Sequence, residues 1–174
     1  CVMFTAWAIV KEYFDAPAGD YETRQGDILL TDKKYDAAIE RFAAALERNP
    51  NHRGALMGRA IALLQSERIV EAEAEFSALI RFLRENAGPD DPTGIGVLAA
   101  AYANRGILYD RAGRFQDALA DYRLALEIDQ GAVAGPGLMH KILLHARPST
   151  VAQRARYLQE QLALPESERL LHVP

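Results

Sequence analysis

The chain has 174 residues, a net charge of −4 and 49% hydrophobic residues, and this composition excludes several classes of protein. A largely disordered chain would hold fewer apolar residues, and a dedicated nucleic-acid binder would show an excess of basic ones. The single cysteine, Cys1, excludes an internal disulfide and a cysteine-rich zinc site. The length suits one domain or one short repeat array.

The chain begins with an apolar run, and its first charged residue is Lys11. As a helix, this run would cover about half of a bilayer core of roughly 30 Å, so it does not predict a complete transmembrane span. Three interpretations stay open: a helix that caps the domain, the remnant of a membrane anchor or signal sequence, or the lipid-modified first residue of a bacterial lipoprotein. If exposed, the run would contact a membrane or another subunit. The residues of this predicted tether, within residues 1–14, are Cys1, Phe4, Trp7, Ile9 and Val10.

A pattern of small and aromatic residues occurs three times along the chain, and its period is 34 residues when the insertion described below is left out. In each copy a glycine or alanine is followed, at fixed offsets, by an alanine, an aromatic residue and a further small or apolar residue. The copies are Gly26, Ala38, Phe42 and Ala45; then Ala60, Ala72, Phe76 and Leu79; then Gly106, Ala118, Tyr122 and Ala125. An insertion of 12 residues at 87–98 separates the second copy from the third.

The pattern resembles the tetratricopeptide repeat, whose unit of about 34 residues is a pair of antiparallel helices. The resemblance implies an all-α fold, a right-handed superhelical solenoid, with three helical hairpins over 19–132. We expect an apolar helix at 1–18 before them, and a degenerate fourth hairpin with a capping helix at 133–174. Apolar residues at helical spacing in 34–48 and 115–128 independently predict amphipathic helices.

Local signals predict where the helices of the repeats begin and end. Asn49 precedes a proline and therefore ends the second helix of the first repeat. Gly113 is expected to close the first helix of the third repeat as a C-terminal cap. Within the insertion, two X-Pro pairs predict a surface loop, and Thr93 is expected to cap a lengthened helix that runs to Arg111.

The C-terminal part is predicted to form shorter helices. Leu138–Ala146 is apolar, and Thr150 with Gln153 fits a capping box at the start of a further helix. Pro165 is expected to begin a last short helix that runs through Leu171. The apolar stripe of the capped helix consists of Val151, Ala155, Leu158 and Leu162, and its outer polar face of Arg154, Arg156, Gln159, Glu160 and Gln161.

The sequence contains no reaction motif. It has no phosphate-binding loop, no dinucleotide-binding glycine pattern after a strand, and no His-Glu-x-x-His. His140 and His145 are five residues apart, which places them on different sides of a helix and prevents a shared metal. Asp90 and Asp91 lack the ligand spacing of a calcium loop. We therefore predict a protein that is not an enzyme, with no cofactor and no metal.

The resemblance places the binding site on the concave surface, which the first helix of each repeat lines. Its floor is apolar and small, so an apolar helix or peptide of a partner is the favoured guest. Packing between repeats, or filling of the groove by the chain itself, are the open alternatives. The predicted groove residues are Thr23, Asp27, Leu30, Met57, Ile61, Leu64, Ala103, Ile107 and Asp110.

One subclass of the family, the cochaperones, clamps a C-terminal carboxylate with lysine, asparagine and arginine side chains. The resemblance assigns those five positions to Thr23, Asp27, Gly58, Ala100 and Asn104 in this sequence. The carboxylate clamp is thus predicted to be absent, and Asp27 would repel a carboxylate.

The leading functional prediction is a scaffold or adaptor that binds a protein and assists complex assembly, working beside or on a membrane assembly. The alternative is a permanent structural subunit of a larger assembly, held by the N-terminal apolar segment. Nucleic-acid binding is not expected, because no continuous basic stripe can be built. A membrane-associated location in a bacterium is favoured, with a soluble cytoplasmic or periplasmic location as the alternative.

Overall fold

The computed structural model describes residues 17–128 and 150–172, which form helices joined by short turns and contain no strand. This confirms the predicted all-α class. The predicted tether and the expected helix at Leu138–Ala146 lie outside the described residues, as do His140 and His145. The α-helices are α1 (Asp20–Thr31), α2 (Tyr35–Arg48), α3 (Arg53–Gln65), α4 (Ile69–Asn86), α5 (Pro92–Arg111), α6 (Phe115–Ile128) and α7 (Val151–Leu162).

The chain divides into two compact units, residues 1–62 and 63–174, with the division inside α3. We call them the N-terminal unit and the C-terminal unit. The core of the N-terminal unit is centred on Phe42, whose side chain is completely buried. A Cβ atom on Gly26 would lie 2.6 Å from the Phe42 ring, and one on Gly58 would lie closer still. The ring therefore occupies the space left by two absent side chains, which explains glycine inside α1 and α3 despite its cost of about 1 kcal/mol.

Polar contacts fix the ends of the helices in the N-terminal unit. The Nδ1 atom of His52 accepts a hydrogen bond from the backbone N–H of Ala55 (3.1 Å), so His52 caps the start of α3. The other ring nitrogen lies 2.7 Å from a carboxylate oxygen of Asp20 at the start of α1. The second helix ends at Arg48, and Asn49 is extended, as the following proline predicts.

The C-terminal unit repeats the close approach of a glycine and an aromatic ring. A Cβ atom on Gly106 would lie 2.7 Å from the ring of Tyr122, which packs from α6 against α5. Gly113 has a φ of 74° and follows the end of α5, which confirms its predicted role in closing that helix.

The insertion is a shorter loop than expected, and its helix cap is a different residue. The helix α5 begins at Pro92, and the carboxylate of Asp91 accepts a hydrogen bond from the backbone N–H of Gly94 (2.8 Å). The prediction that Thr93 caps this helix was wrong. Proline is well suited to the first helical position because it has no N–H to satisfy, and this places the cap one residue before it.

The C-terminal helix α7 confirms one prediction and corrects two. Thr150 and Gln153 form the predicted capping box. The expected helix from Pro165 through Leu171 is only a 3-10 turn at Glu166–Glu168. It stops there because the backbone N–H of Leu170 donates to the side chain of Gln161 instead of continuing a helix (2.7 Å).

The prediction that Arg154 belongs to the outer polar face of α7 was also wrong. The Arg154 guanidinium instead forms two hydrogen bonds with the carboxylate of Asp110 on α5 (2.7 and 2.8 Å). The same guanidinium donates to the backbone carbonyl of Leu171 (3.0 Å). Arg154 therefore attaches α7 and the residues after it to the third hairpin.

Candidate functional site

The predicted groove residues fall into three sets with the same helical spacing. Each set occupies positions i, i+4 and i+7 of one helix, so its members share a face of that helix. The N-terminal unit contributes Thr23, Asp27 and Leu30 on α1 and Met57 and Ile61 on α3; the C-terminal unit contributes Leu64 on α3 and Ala103, Ile107 and Asp110 on α5.

The apolar floor of the predicted groove is buried. The exposed fractions are 7% for Met57, 4% for Ile61, 1% for Leu64 and 2% for Ala103. Leu30 and Ile107 are partly exposed. Within the predicted groove, the aliphatic surface that a partner could reach without a rearrangement is therefore confined to these two side chains, and the role of the other four in binding stays a prediction.

The polar groove residues of α1 differ in what they are bound to. The Thr23 hydroxyl is buried and donates to the backbone carbonyl of Gly19 (2.8 Å), one turn earlier in the chain. Asp27 is exposed, and among the described residues its carboxylate has no hydrogen-bond or ion-pair partner. Nearby protein atoms partly desolvate this carboxylate and raise its pKa, while His52 acts in the opposite direction. Asp27 is therefore the acidic residue of the predicted groove in the N-terminal unit that is available to a ligand.

Asp110, the acidic groove residue of the C-terminal unit, is bound within the protein. Besides its two bonds to Arg154, it accepts a hydrogen bond from the hydroxyl of Tyr122 (3.3 Å). Burial, followed by the charge of Asp110, raises the pKa of the Tyr122 hydroxyl well above its usual range. Asp110 therefore contributes to packing, a role that the sequence does not reveal because Arg154 is 44 residues away.

A second polar network, which the sequence also did not reveal, joins α4, α5 and α6 in the C-terminal unit. Arg105 forms two hydrogen bonds with the buried carboxylate of Asp121 (2.7 and 2.9 Å) and one with the hydroxyl of Ser77 (3.0 Å). Glu73 accepts hydrogen bonds from the Tyr109 hydroxyl (3.0 Å) and from Arg114 (2.9 and 3.0 Å). The hydrogen bonds to Asp121 raise the pKa of the Arg105 guanidinium. This network connects α5 to α4 and to α6.

The described part of the chain offers no arrangement suited to metal chemistry. Residues 17–128 and 150–172 contain no group of three or more His, Cys, Asp or Glu side chains that could hold a metal ion. Within the same residues, no helix combines the length and apolar character needed to cross a membrane.

The positions of the carboxylate clamp are occupied in ways that the structure explains residue by residue. In the N-terminal unit, the Thr23 hydroxyl is engaged with Gly19, and the Cβ direction of Gly58 is filled by the ring of Phe42. In the C-terminal unit, Asn104 is buried and its amide donates to the backbone carbonyl of Ala100 (2.8 Å). These three positions make contacts within the protein, and none of them carries the side chain that the clamp requires.

Successive helical hairpins with a glycine–aromatic contact at the crossing define a helical repeat protein. Models of the tetratricopeptide repeat match residues 23–92 and 99–131, which together make up more than half of the sequence. The chain therefore belongs to the tetratricopeptide-repeat family.

The chain is also similar to a curated protein and to a solved structure. The chain is 40% identical over 50 residues to Hsp70-Hsp90 organizing protein 1 of Arabidopsis thaliana, a match that spans 29% of this chain and only 9% of that protein. The first TPR domain of Spaghetti (RPAP3), bound to the HSP90 peptide SRMEEVD, aligns with a TM-score of 0.62 and 17% identity over 86% of this chain and 97% of that one. At this identity the structural match supports the fold alone.

Proposed function

We propose that this chain is a non-enzymatic adaptor that binds a peptide or a helical segment of a partner protein on the faces of α1, α3 and α5 that carry the predicted groove residues, which we call the inner faces. The observation that carries the proposal is the repeated helical hairpin, because stacked hairpins present one helix of each pair to a partner. A solved domain with this fold binds an HSP90 peptide, which supports a protein as the class of ligand.

The partner that we propose does not dock by a C-terminal carboxylate. None of the five clamp positions carries a lysine or arginine, and Asp27 places a negative charge where a carboxylate would have to approach. We therefore expect the peptide SRMEEVD to bind this chain far more weakly than it binds a clamp-bearing domain. Isothermal titration calorimetry with the free-acid and amidated forms of the peptide tests this, and tight binding that depends on the free carboxylate would contradict it.

The favoured guest is a segment that combines apolar and charged residues. Leu30 and Ile107 are the partly exposed aliphatic side chains of the predicted groove, and Asp27 lies on the same face of α1 as Leu30. A wholly apolar helix would need the buried floor to open, whereas an amphipathic segment needs only the surface that is already exposed.

An affinity pull-down with charge-introducing variants tests the proposed surface. Leu30→Glu and Ile107→Glu place a charge on the inner faces and should abolish capture of partners. The matched control is Val70→Glu on α4, because Val70 is 81% exposed and lies outside the predicted groove. Circular dichroism should show equal helicity in all three variants, and capture that survives both inner-face substitutions would contradict the proposal.

A second candidate, which rests on the apolar run of the first ten residues alone, is that this segment holds the chain at a membrane or in a larger assembly. Deletion of residues 1–14 should then abolish co-sedimentation with lipid vesicles or release the chain from its complex. Unchanged behaviour in both assays would reject this candidate and leave the adaptor proposal intact.

A further inference from the structure

We infer that Asp27 pairs with a lysine or arginine side chain of the partner, so that this surface selects a basic segment. The inference rests on the proposed function and names the chemistry of the ligand at one point of that surface. Its basis is the distribution of charge on α1, the first inner helix.

The helix α1 carries three acidic side chains, and two of them have partners inside the N-terminal unit. Asp20 lies 2.7 Å from a ring nitrogen of His52, and Glu22 lies 2.6 Å from the guanidinium of Arg48. Asp27 has no such partner among the described residues. Arg24, three residues earlier on α1, is exposed and forms no ion pair with it. Within the part of the chain that the structure describes, Asp27 is thus the acid of this helix without an ion-pair partner.

The surroundings of Asp27 make a cationic ligand favourable. Neighbouring protein atoms have removed part of the water around its carboxylate, which is why its pKa is raised. A carboxylate in such a place gains more from an opposite charge than one in bulk water, because the effective dielectric constant is lower. Leu30 lies one turn further along the same face and can contact the aliphatic stem of a lysine or arginine.

The packing below α1 opposes the alternative in which this surface binds an anion. The family's clamp needs an asparagine at the position of Gly58, but the Phe42 ring fills the space where its Cβ would lie. The same ring fills the space where a Cβ on Gly26 would lie, so both glycines face Phe42. Position 58 therefore carries no anion-binding amide, and Asp27 is the charged residue of the predicted groove in this unit.

Selection from a library of short random-sequence peptides displayed on phage tests the inference on the full chain. Peptides that bind the wild-type chain should carry lysine or arginine at one fixed position. Selection with Asp27→Lys should lose that preference and favour aspartate or glutamate. The control is Glu40→Lys, which makes the same charge change at an exposed acid on α2 of the same unit and should leave the preference unchanged.

The affinity of a selected peptide provides the quantitative readout. Its Kd should rise about fivefold for Asp27→Asn and stay unchanged for Glu40→Gln, a change typical of one partly exposed ion pair. Selected peptides with no fixed basic position, or a basic preference that persists in Asp27→Lys, would overturn the inference while the adaptor function stands. A library that yields no binder to any variant would contradict peptide binding itself, and with it both proposals.

Discussion

In each unit an aromatic ring packs against a glycine of a neighbouring helix, but the two rings differ in polarity. This difference affects whether the acidic groove residue of the unit has a partner within the protein. In the N-terminal unit, Phe42 fills the space between two glycines and has no polar group to satisfy. In the C-terminal unit, Tyr122 takes the equivalent place against Gly106, and its hydroxyl bonds to Asp110. Arg154 also forms an ion pair with Asp110, whereas Asp27 has no such partner among the described residues. The same residue type is thus structural in one unit and available for binding in the other.

The largest change in the free energy of unfolding is expected when the buried aromatic ring of the N-terminal unit is removed. Phe42→Ala should lower the free energy of unfolding by about 3–5 kcal/mol, because the side chain is fully buried and a cavity remains. Urea denaturation followed by circular dichroism measures this change. A loss below about 1 kcal/mol would mean that the two helices close over the gap and that Phe42 is not the centre of this core.

The next largest effect should come from the ion pair that occupies Asp110. Arg154→Ala leaves a largely buried carboxylate without its cation, and we expect a loss of about 2–3 kcal/mol. Arg156→Ala on the same helix is the control and should change stability by about 0.5 kcal/mol or less, since Arg156 is exposed. Equal effects of the two substitutions in thermal unfolding would show that the pair does not hold α7 in place.

A smaller effect should distinguish the two aromatic residues. Tyr122→Phe makes the C-terminal unit resemble the N-terminal one and removes a single hydrogen bond to Asp110, so a loss of about 1 kcal/mol is expected. The helical content should not change, because the ring still fills the space beside Gly106. A loss as large as that of Arg154→Ala would instead indicate that the hydroxyl organises the whole contact.

The sequence predicts the repeated part of this fold well because its signals are local. The glycine and aromatic positions of each hairpin, the end of α2 at Arg48 and the capping box at Thr150 all depend on residues within one hairpin or one turn. Local signals gave the wrong helix cap where two of them compete, as at Asp91 and Thr93, since either residue can cap a helix.

The candidate site was predicted less well because its properties depend on distant parts of the chain. Helical spacing predicts that Asp27 and Asp110 share helix faces with the other predicted groove residues, but no pattern shows that Arg154 reaches one of them from 44 residues away. The burial of Met57 and Ile61 is equally hard to predict, because it depends on packing against residues that are distant in the sequence. Which residues share a face of one helix is therefore predictable, whereas which of those residues remain exposed is not.

The smallest change in the free energy of unfolding is expected from removing the charge of Asp27, and this change is a gain in stability, not a loss. Because desolvation raises the pKa of this carboxylate above its ordinary value of 3.8, the folded state favours its neutral form and the charge destabilises the fold at neutral pH. Asp27→Asn should therefore stabilise the chain at pH 7, by about 0.5 kcal/mol or less for an exposed site. The gain should be complete above the raised pKa and shrink as the pH falls, vanishing below the ordinary value, where wild-type Asp27 is also neutral.

Thermal unfolding of Asp27→Asn and Glu40→Gln across this pH range separates a local effect of Asp27 from a general effect of net charge. Both variants remove one negative charge from exposed positions of the N-terminal unit. A stabilisation of equal size in both would assign the effect to net charge. If Asp27→Asn alone is more stable while it binds basic peptides less tightly, then the wild-type chain retains a destabilising carboxylate at the position where a ligand is bound. That combination is expected of a residue kept for recognition, since a residue that served packing would lose stability when replaced, as is expected for Arg154.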